Sequence, residues 1–203
     1  MTKIKLCGLS RPCDIEAVNA LRPDYIGFVF AEKSRRFVSP RNAAQLKRLL
    51  SPSIQAVGVF VQEEPEKIAA LAREDLFDII QLHGKESEAY LAKLRTLTQK
   101  PILQAFRIDT PEDVIAAERS SADYILLDSG TGGTGTTFDW RLLQTFQRPY
   151  FLAGGLTIEN AAAAVRQLHP YGVDVSSGIE TDGQKDPQKM AAFVCAVRKA
   201  GTI

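Results

Sequence analysis

Short apolar runs recur along the chain and alternate with longer stretches in which apolar and polar residues are mixed. The runs are rich in Ile, Val, Phe and Tyr, which is the pattern of parallel β-strands that are buried on both faces. The eight runs comprise residues 4–7, 25–30, 56–61, 79–83, 102–106, 124–128, 150–153 and 173–176. The pattern therefore predicts a parallel sheet of eight strands.

The stretches between these runs carry the start signals of helices, most often a polar residue followed by proline. Clear examples are Ser39-Pro40, Glu64-Pro65, Thr110-Pro111 and Asp186-Pro187, and amphipathic stretches at 87–97 and 138–146 complete the set. Eight β-α units in 203 residues favour a (βα)8 TIM barrel that forms one domain, residues 1–203. A doubly wound open sheet is the alternative. It would show fewer strands and a dominant glycine fingerprint after the first strand, which Gly8 alone does not supply.

The first strand ends on Cys7, with Gly8 directly after it. A free cysteine often serves only as a small buried hydrophobic residue, so Cys7 has either this structural role or a role in chemistry. Alternation along the strand puts Lys5 and Cys7 on one face, and we expect both to point into the barrel. A buried lysine needs a partner, and Asp174 on the last strand is predicted to form an ion pair with it. Lys5 would then also be able to lower the pKa of Cys7.

The active sites of such barrels lie at the carboxyl ends of the strands, where this chain carries two further features. The sixth strand ends on Asp128, a carboxylate that is costly after so apolar a run unless it has a functional role or accepts hydrogen bonds from the next loop. That loop, residues 129–137, contains four glycines and is predicted to be either a lid or a long surface loop.

The ends of the seventh and eighth strands predict a phosphate site. Gly154 and Gly155 precede a helix, and Ser177 and Gly178 belong to a turn after the last strand. Turns of this kind expose backbone N–H groups, which cradle phosphate in many barrels. Two tight turns without a ligand are the alternative.

Cations and a histidine follow two other strands. Arg36, in the loop after the second strand, would face an anionic group of the substrate, since a guanidinium binds both oxygens of a carboxylate. His83, at the end of the fourth strand, is predicted to be structural or to shape the substrate site.

The composition excludes several classes of protein. A net charge of +1 implies no bulk attraction to nucleic acid or to an anionic membrane, and no apolar run is long enough to span a bilayer. The three cysteines lack a CxxC motif and favour a reducing compartment, the cytoplasm. Only two histidines are present, far apart in the sequence, so no metal site is expected.

These features together resemble the phosphoribosylanthranilate isomerases of tryptophan biosynthesis over essentially the whole chain. The resemblance rests on KLCGL at 5–9, GFVF at 27–30, KSRR at 33–36, VGVFV at 57–61, QLHG at 81–84, LD at 127–128, TFDW at 137–140, GGL at 154–156 and DVSSG at 174–178. The departures are a Leu in place of the more usual Ile in the first motif and a loop after Asp128 that is unusually rich in Gly and Thr.

The resemblance implies an Amadori rearrangement of N-(5-phosphoribosyl)anthranilate, with Cys7 as general base, Asp128 as general acid and Arg36 on the anthranilate carboxylate. It implies no metal and no cofactor, and a small phosphorylated substrate as the binding partner.

The analogous isomerase of the histidine pathway competes with this interpretation, but it has two phosphate sites and an aspartate in place of Cys7. A barrel that binds phosphate without catalysis is the other competitor. The balanced composition favours a monomer.

Overall fold

Eight parallel strands close into a barrel in the computed structural model, which describes residues 1–128 and 140–201 and leaves out the side chains of Arg141 and Gln144. The strands β1 to β8 are Lys3–Cys7, Tyr25–Val29, Gln55–Phe60, Ile79–Leu82, Ile102–Arg107, Tyr124–Asp128, Tyr150–Ala153 and Gly172–Val175. Each strand pairs with the next, and β8 pairs with β1. The predicted (βα)8 barrel is confirmed, and the strand bounds differ from the prediction by one residue at several ends.

In the described parts of the chain, seven α-helices surround the barrel. The helices α1 to α7 are Pro12–Leu21, Pro40–Leu49, Pro65–Arg73, Glu88–Leu97, Pro111–Arg119, Ile158–Leu168 and Pro187–Ala200. Proline stands at the first helical position of five of them, where its missing N–H has no intrahelical partner in any case. Among the described residues, none of the helices is both long enough and apolar enough to cross a membrane.

Two connections differ from the sequence prediction. The stretch predicted as a helix at 138–146 contains a 3₁₀ helix, Trp140–Thr145, in its described part, and Pro149 directly precedes β7. Such a short segment favours the tighter 3₁₀ turn over an α-helix. After β8 the chain forms a three-residue 3₁₀ helix, Ser177–Ile179, and then a small hairpin of Glu180–Thr181 and Gln184–Lys185 before α7 begins. The glycine-rich loop 129–137 lies outside the described residues.

The core has two layers, as the alternation of side chains along a barrel strand requires. Ile4 and Leu6 face outward and pack with the helices, whereas Lys5 and Cys7 face the interior, as predicted. The lower interior is apolar and aromatic, with Tyr25 and Phe151 in edge-to-face contact. The barrel is therefore a packed core below and becomes polar only toward the carboxyl ends of the strands.

A buried ion pair closes the seam between the first and last strands. Lys5 and Asp174 are register partners, and the Lys5 Nζ donates a hydrogen bond to Asp174 Oδ1 at 2.9 Å. The Lys5 side chain is fully buried and that of Asp174 is 8% exposed. The ion pair predicted from the sequence is confirmed.

Removing one member of this pair leaves an uncompensated charge inside the barrel, which costs about 3–5 kcal/mol. We therefore expect Lys5→Met to lower the free energy of unfolding by that amount in urea titration. Lys3→Met is the matched control, because Lys3 pairs with Asp24 at the surface, where such a pair contributes at most about 1 kcal/mol. The double variant Lys5→Met/Asp174→Leu should regain most of the lost stability. A Lys5→Met protein as stable as the Lys3→Met control would contradict a structural role for the pair.

Candidate active site

A cavity of about 320 Å³ opens at the carboxyl ends of the strands. Seven of the eight residues singled out from the sequence line it, namely Cys7, Arg36, His83, Asp128, Gly154, Gly155 and Ser177. Gly178 follows Ser177 in the turn beside the cavity. A larger cavity of about 560 Å³ lies at the other end of the barrel, against Met1 and Tyr171, and contains none of them. The first cavity is the candidate active site, since barrels carry their chemistry at the carboxyl ends of the strands.

The thiol of Cys7 is packed into the wall of this cavity and is 7% exposed at the residue level. Gly27 on β2 is its register partner, and a Cβ at Gly27 would lie 2.6 Å from Cys7 Sγ. Only glycine leaves room for the sulfur at this point of the sheet. Sequence reasoning missed Gly27, although a glycine inside a strand is a known sign of close approach.

Burial raises the pKa of the Cys7 thiol above its usual value. The positive charge of Lys5 opposes this shift, as does that of Lys185 to a smaller degree, while the negative charge of Asp174 adds to it. Lys5 therefore acts on the pKa of Cys7 in the predicted direction, but its effect is smaller than that of burial, so the net shift is upward. The physical reason is that the thiol is desolvated and that Lys5 is already hydrogen-bonded to Asp174.

Asp128 and His83 form a second polar group on the same rim. Asp128 ends β6, and its Oδ2 lies 3.1 Å from His83 Nε2. The other ring nitrogen, Nδ1, lies 2.8 Å from Nε2 of Gln81, whose side chain is fully buried. Gln81 thus fixes the ring so that Nε2 faces the carboxylate of Asp128. His83 thus borders the cavity, and its ring is oriented by contacts with Gln81 and Asp128.

The proton positions in this group depend on the orientation of the Gln81 amide. With the amide as assigned, Gln81 donates to Nδ1, so Nε2 carries the proton and donates it to Asp128. Oε1 of Gln81 then has no hydrogen-bond partner among the described residues. If the Gln81 amide is turned, Oε1 accepts a hydrogen bond from Nδ1–H. Nε2 then carries no proton and accepts a hydrogen bond from protonated Asp128. Sequence reasoning did not identify Gln81, since an apolar strand with one glutamine gives no sign of this contact.

The loops after β7 and β8 approach each other closely. Gly154 and Gly155 have φ values of +83° and +62°, which side chains rarely adopt. A Cβ at Gly178 would lie 2.1 Å from the carbonyl oxygen of Leu156, so only glycine allows the two loops to touch. Thr157 then begins a capping box with Asn160 at the start of α6. Both loops border one end of the cavity, as predicted for the phosphate site.

Arg36 lines the cavity and is engaged by a carboxylate from this chain. Its Nε and Nη2 donate to the two oxygens of Glu180 at 2.6 and 3.0 Å. Gly8, with a φ of +85°, makes room for the arginine, because a Cβ there would lie 2.5 Å from Arg36 Cδ. Glu180 follows the predicted phosphate turn, but its contact with Arg36 was not visible in the sequence.

A family model described as "N-(5'phosphoribosyl)anthranilate (PRA) isomerase" matches residues 4–196. The chain belongs to this family. It is 43% identical over 202 residues to the N-(5'-phosphoribosyl)anthranilate isomerase of Endomicrobium trichonymphae, covering 98% of this chain and 99% of the relative. It is 44% identical over 207 residues to that of Clostridium acetobutylicum, with the same coverage. The family predicted from the sequence motifs is confirmed.

Solved structures of the isomerase family share the fold. The phosphoribosyl anthranilate isomerase from Thermotoga maritima aligns with a TM-score of 0.90 at 33% identity, covering 98% of this chain and all of that one. Another solved isomerase, bound to reduced 1-(o-carboxyphenylamino)-1-deoxyribulose 5-phosphate, aligns with a TM-score of 0.88 at 33% identity and the same coverage. The Thermotoga maritima enzyme is described as dimeric, and monomers generated from it have also been solved.

The raised pKa of Cys7 predicts its chemical reactivity. In a Cys13→Ser/Cys195→Ser background, alkylation of Cys7 by iodoacetamide should reach half its maximal rate at a higher pH than alkylation of free cysteine, because only the thiolate reacts. Adding Lys5→Met should move this midpoint to higher pH, since it removes a positive charge that favours the thiolate. Stopped-flow or mass-spectrometric rates against pH provide the measurement. A midpoint below pH 7 in the background protein would show that the lysines outweigh burial.

Proposed function

We propose that this isomerase converts N-(5'-phosphoribosyl)anthranilate into 1-(2-carboxyphenylamino)-1-deoxyribulose 5-phosphate by general acid–base catalysis, with Asp128 as the acid and Cys7 as the base. The observation that carries the proposal is one cavity bordered by both groups, by Arg36 and by the glycine turns after β7 and β8. Isomerase activity in tryptophan biosynthesis is the activity of the family. The assignment of each step to a residue is the proposal.

The first step opens the ribose ring. Asp128 donates its proton to the ring oxygen while the lone pair of the anthranilate nitrogen forms the C=N bond of a protonated Schiff base. His83 lies within hydrogen-bond distance of Oδ2 and positions the carboxyl group of Asp128. General acid catalysis of this kind contributes about 10²–10⁴-fold to the rate.

The second step moves a proton from carbon. Cys7 first loses its thiol proton to solvent water. The resulting thiolate removes the proton from ribose C2′, and the electron pair of that C–H bond flows toward the cationic nitrogen to give an enolamine. Tautomerisation of the enolamine then yields the ketone of the product. The nitrogen of the substrate serves as the electron sink.

The electrostatics of the cavity define the cost of the second step. Burial makes the neutral thiol of Cys7 the resting form, so the thiolate must be stabilised when it forms. Lys5 and Lys185 are the cations that favour the thiolate, and the positively charged Schiff base adds to them. A thiol with a raised pKa gives, once ionised, a more basic thiolate for carbon deprotonation.

The substrate's two ends have separate binding groups in this proposal. The phosphate binds between the turns that contain Gly154, Gly155, Ser177 and Gly178, where backbone N–H groups and the start of α6 favour an anion. The anthranilate carboxylate binds to Arg36. This arrangement stretches the ribose between Cys7 on β1 and Asp128 on β6, which are separated by β7 and β8 along the shorter way round the barrel.

Turnover is tested by the loss of anthranilate fluorescence from the substrate. Cys7→Ser and Asp128→Asn should each lower kcat by at least about 10²-fold while the protein remains folded, because each removes one proton-transfer group. Cys13→Ser and Asp123→Asn are the matched controls, since Cys13 is exposed and Asp123 lies before β6. A kcat close to that of the controls in either catalytic variant contradicts the assignment. Failure of the unaltered protein to consume fresh substrate would contradict the activity.

The phosphate site is tested by Gly178→Ala. The added Cβ must push the two loops apart at Leu156, so competitive inhibition by inorganic phosphate should weaken by about tenfold or more and KM should rise. Gly201→Ala is the control, because a Cβ there would have no neighbour nearer than 3.7 Å. Unchanged phosphate inhibition in Gly178→Ala would show that phosphate binds elsewhere.

We further propose that residues 1–203 form a single domain, that the chain is a monomer and that it works in the cytoplasm. Among the described residues, the exposed large apolar side chains are dispersed: Leu49 lies on α2, Ile115 on α5, and Phe37 and Val61 in loops, whereas Met1 and Tyr171 border one cavity. This dispersal favours a monomer. The three thiols are free, which suits a reducing compartment. Sedimentation velocity over a range of concentrations tests the monomer, and a dimer mass at micromolar concentration would contradict it.

A further inference from the structure

The carboxylate of Glu180 is almost completely enclosed, with its side chain 5% exposed. It accepts two hydrogen bonds from Arg36, one on each oxygen. Two parallel N–H···O contacts hold the plane of a guanidinium as well as its position. The Arg36 side chain is 22% exposed and borders the cavity, so its orientation there is determined by Glu180.

This contact uses only one edge of the arginine. Nε and one hydrogen of Nη2 face Glu180, which leaves both hydrogens of Nη1 and the second hydrogen of Nη2. Within the part of the chain that the structure describes, Nη1 has no hydrogen-bond partner. A second carboxylate can therefore bind to the remaining edge of Arg36 while Glu180 stays in place.

The charges around Glu180 leave an excess of positive charge. Arg35 and Lys185 also contact its carboxylate, at 2.8 and 2.7 Å, so three cations surround one anion. Although burial raises the pKa of Glu180, its hydrogen bonds to Arg36 and Lys185 more than offset this and hold the pKa below the usual value. Glu180 is thus ionised at neutral pH, and the cluster still attracts a further anion.

Lys185 connects this group of charged side chains to the backbone of the barrel. Lys185 is 2% exposed and donates to the backbone oxygen of Ser176 at 2.8 Å as well as to Glu180. Ser176 in turn donates from its hydroxyl to the backbone oxygen of Cys7 at 3.1 Å. Glu180 is therefore tied to the turn after β8 and to the end of β1, and it is not a mobile surface group.

We propose that Glu180 is a positioning residue that holds Arg36 with its free edge toward the substrate's carboxylate, and that the isomerase thereby selects substrates that carry this carboxylate. This inference rests on the proposed role of Arg36. In this proposal Glu180 does not touch the substrate and acts on its binding through Arg36.

The test compares two ligands that differ only in the carboxylate. One is the product with its ketone reduced to an alcohol, and the other is the same compound made from aniline instead of anthranilate. Their dissociation constants are measured by calorimetry for the unaltered chain, Glu180→Gln, Arg36→Met and the double variant. Glu66→Gln is the matched control, because Glu66 forms an exposed ion pair with Lys93 away from the cavity.

We expect the unaltered chain and Glu66→Gln to prefer the carboxylated ligand to the same degree. Glu180→Gln should reduce this preference by about tenfold through weaker binding of the carboxylated ligand alone, and Arg36→Met should abolish it. In the double variant, Glu180→Gln should have no further effect, because the two residues act through one contact.

Three results overturn the proposal. Equal weakening of both ligands by Glu180→Gln would mean a structural role only, and an unchanged preference would mean that Arg36 is held without Glu180. Tighter binding of the carboxylated ligand would mean that Glu180 competes with the substrate for Arg36.

If Arg36→Met keeps the preference for the carboxylated ligand, the role of Arg36 in the proposed function fails instead. Should Glu180→Gln not fold, Glu180→Asp keeps the charge but cannot span both Arg36 nitrogens, and it should show a smaller loss of the same preference.

Discussion

The buried ion pair between Lys5 and Asp174 is the contact on which the arrangement of the site depends. It joins the first and last strands of the closed sheet, and Lys5 lies two residues before Cys7, the proposed base, on β1. An ion pair inside a barrel stabilises the fold only when both charges are present, because either one alone would be desolvated without compensation. The pair matches the register of β1 against β8, and this register places Cys7 beside the turn of Ser176 to Gly178.

The same pair sets the electrostatics of Cys7. Lys5 lies close enough to favour the thiolate, but Asp174 balances its charge, and burial makes the neutral thiol the resting form. The Lys5–Asp174 pair carries no net charge, so in the proposed mechanism Cys7 is weakly ionised at rest and strongly basic once ionised. In that mechanism the positive charge that the substrate develops on ring opening supplies the remaining stabilisation, so that Cys7 ionises at the stage where the proton on C2′ is acidic.

Much of the fold followed from local patterns. The alternation in β1 predicted which side chains face the interior, and the proline-led starts predicted the helices, since both features depend on short-range geometry. The same alternation predicted the Lys5–Asp174 pair once a closed barrel was assumed. The contacts of Glu180 with Arg36 and of Gln81 with His83 could not be predicted, because they depend on side-chain distances between loops or on the rotation of one amide. The direction of the pKa shift of Cys7 also depends on burial, which the sequence does not report.

The central claim is that Cys7 and Asp128 act on one ribose from different sides while its two ends are held apart. A crystal structure of this chain with the reduced product tests it most directly. The account predicts the phosphate between the turns after β7 and β8, the carboxylate on Arg36, Cys7 Sγ within about 4 Å of the carbon that loses its proton, and Asp128 within hydrogen-bond distance of the former ring oxygen. A ligand whose phosphate lies elsewhere, or whose C2′ is out of reach of Cys7, would contradict it.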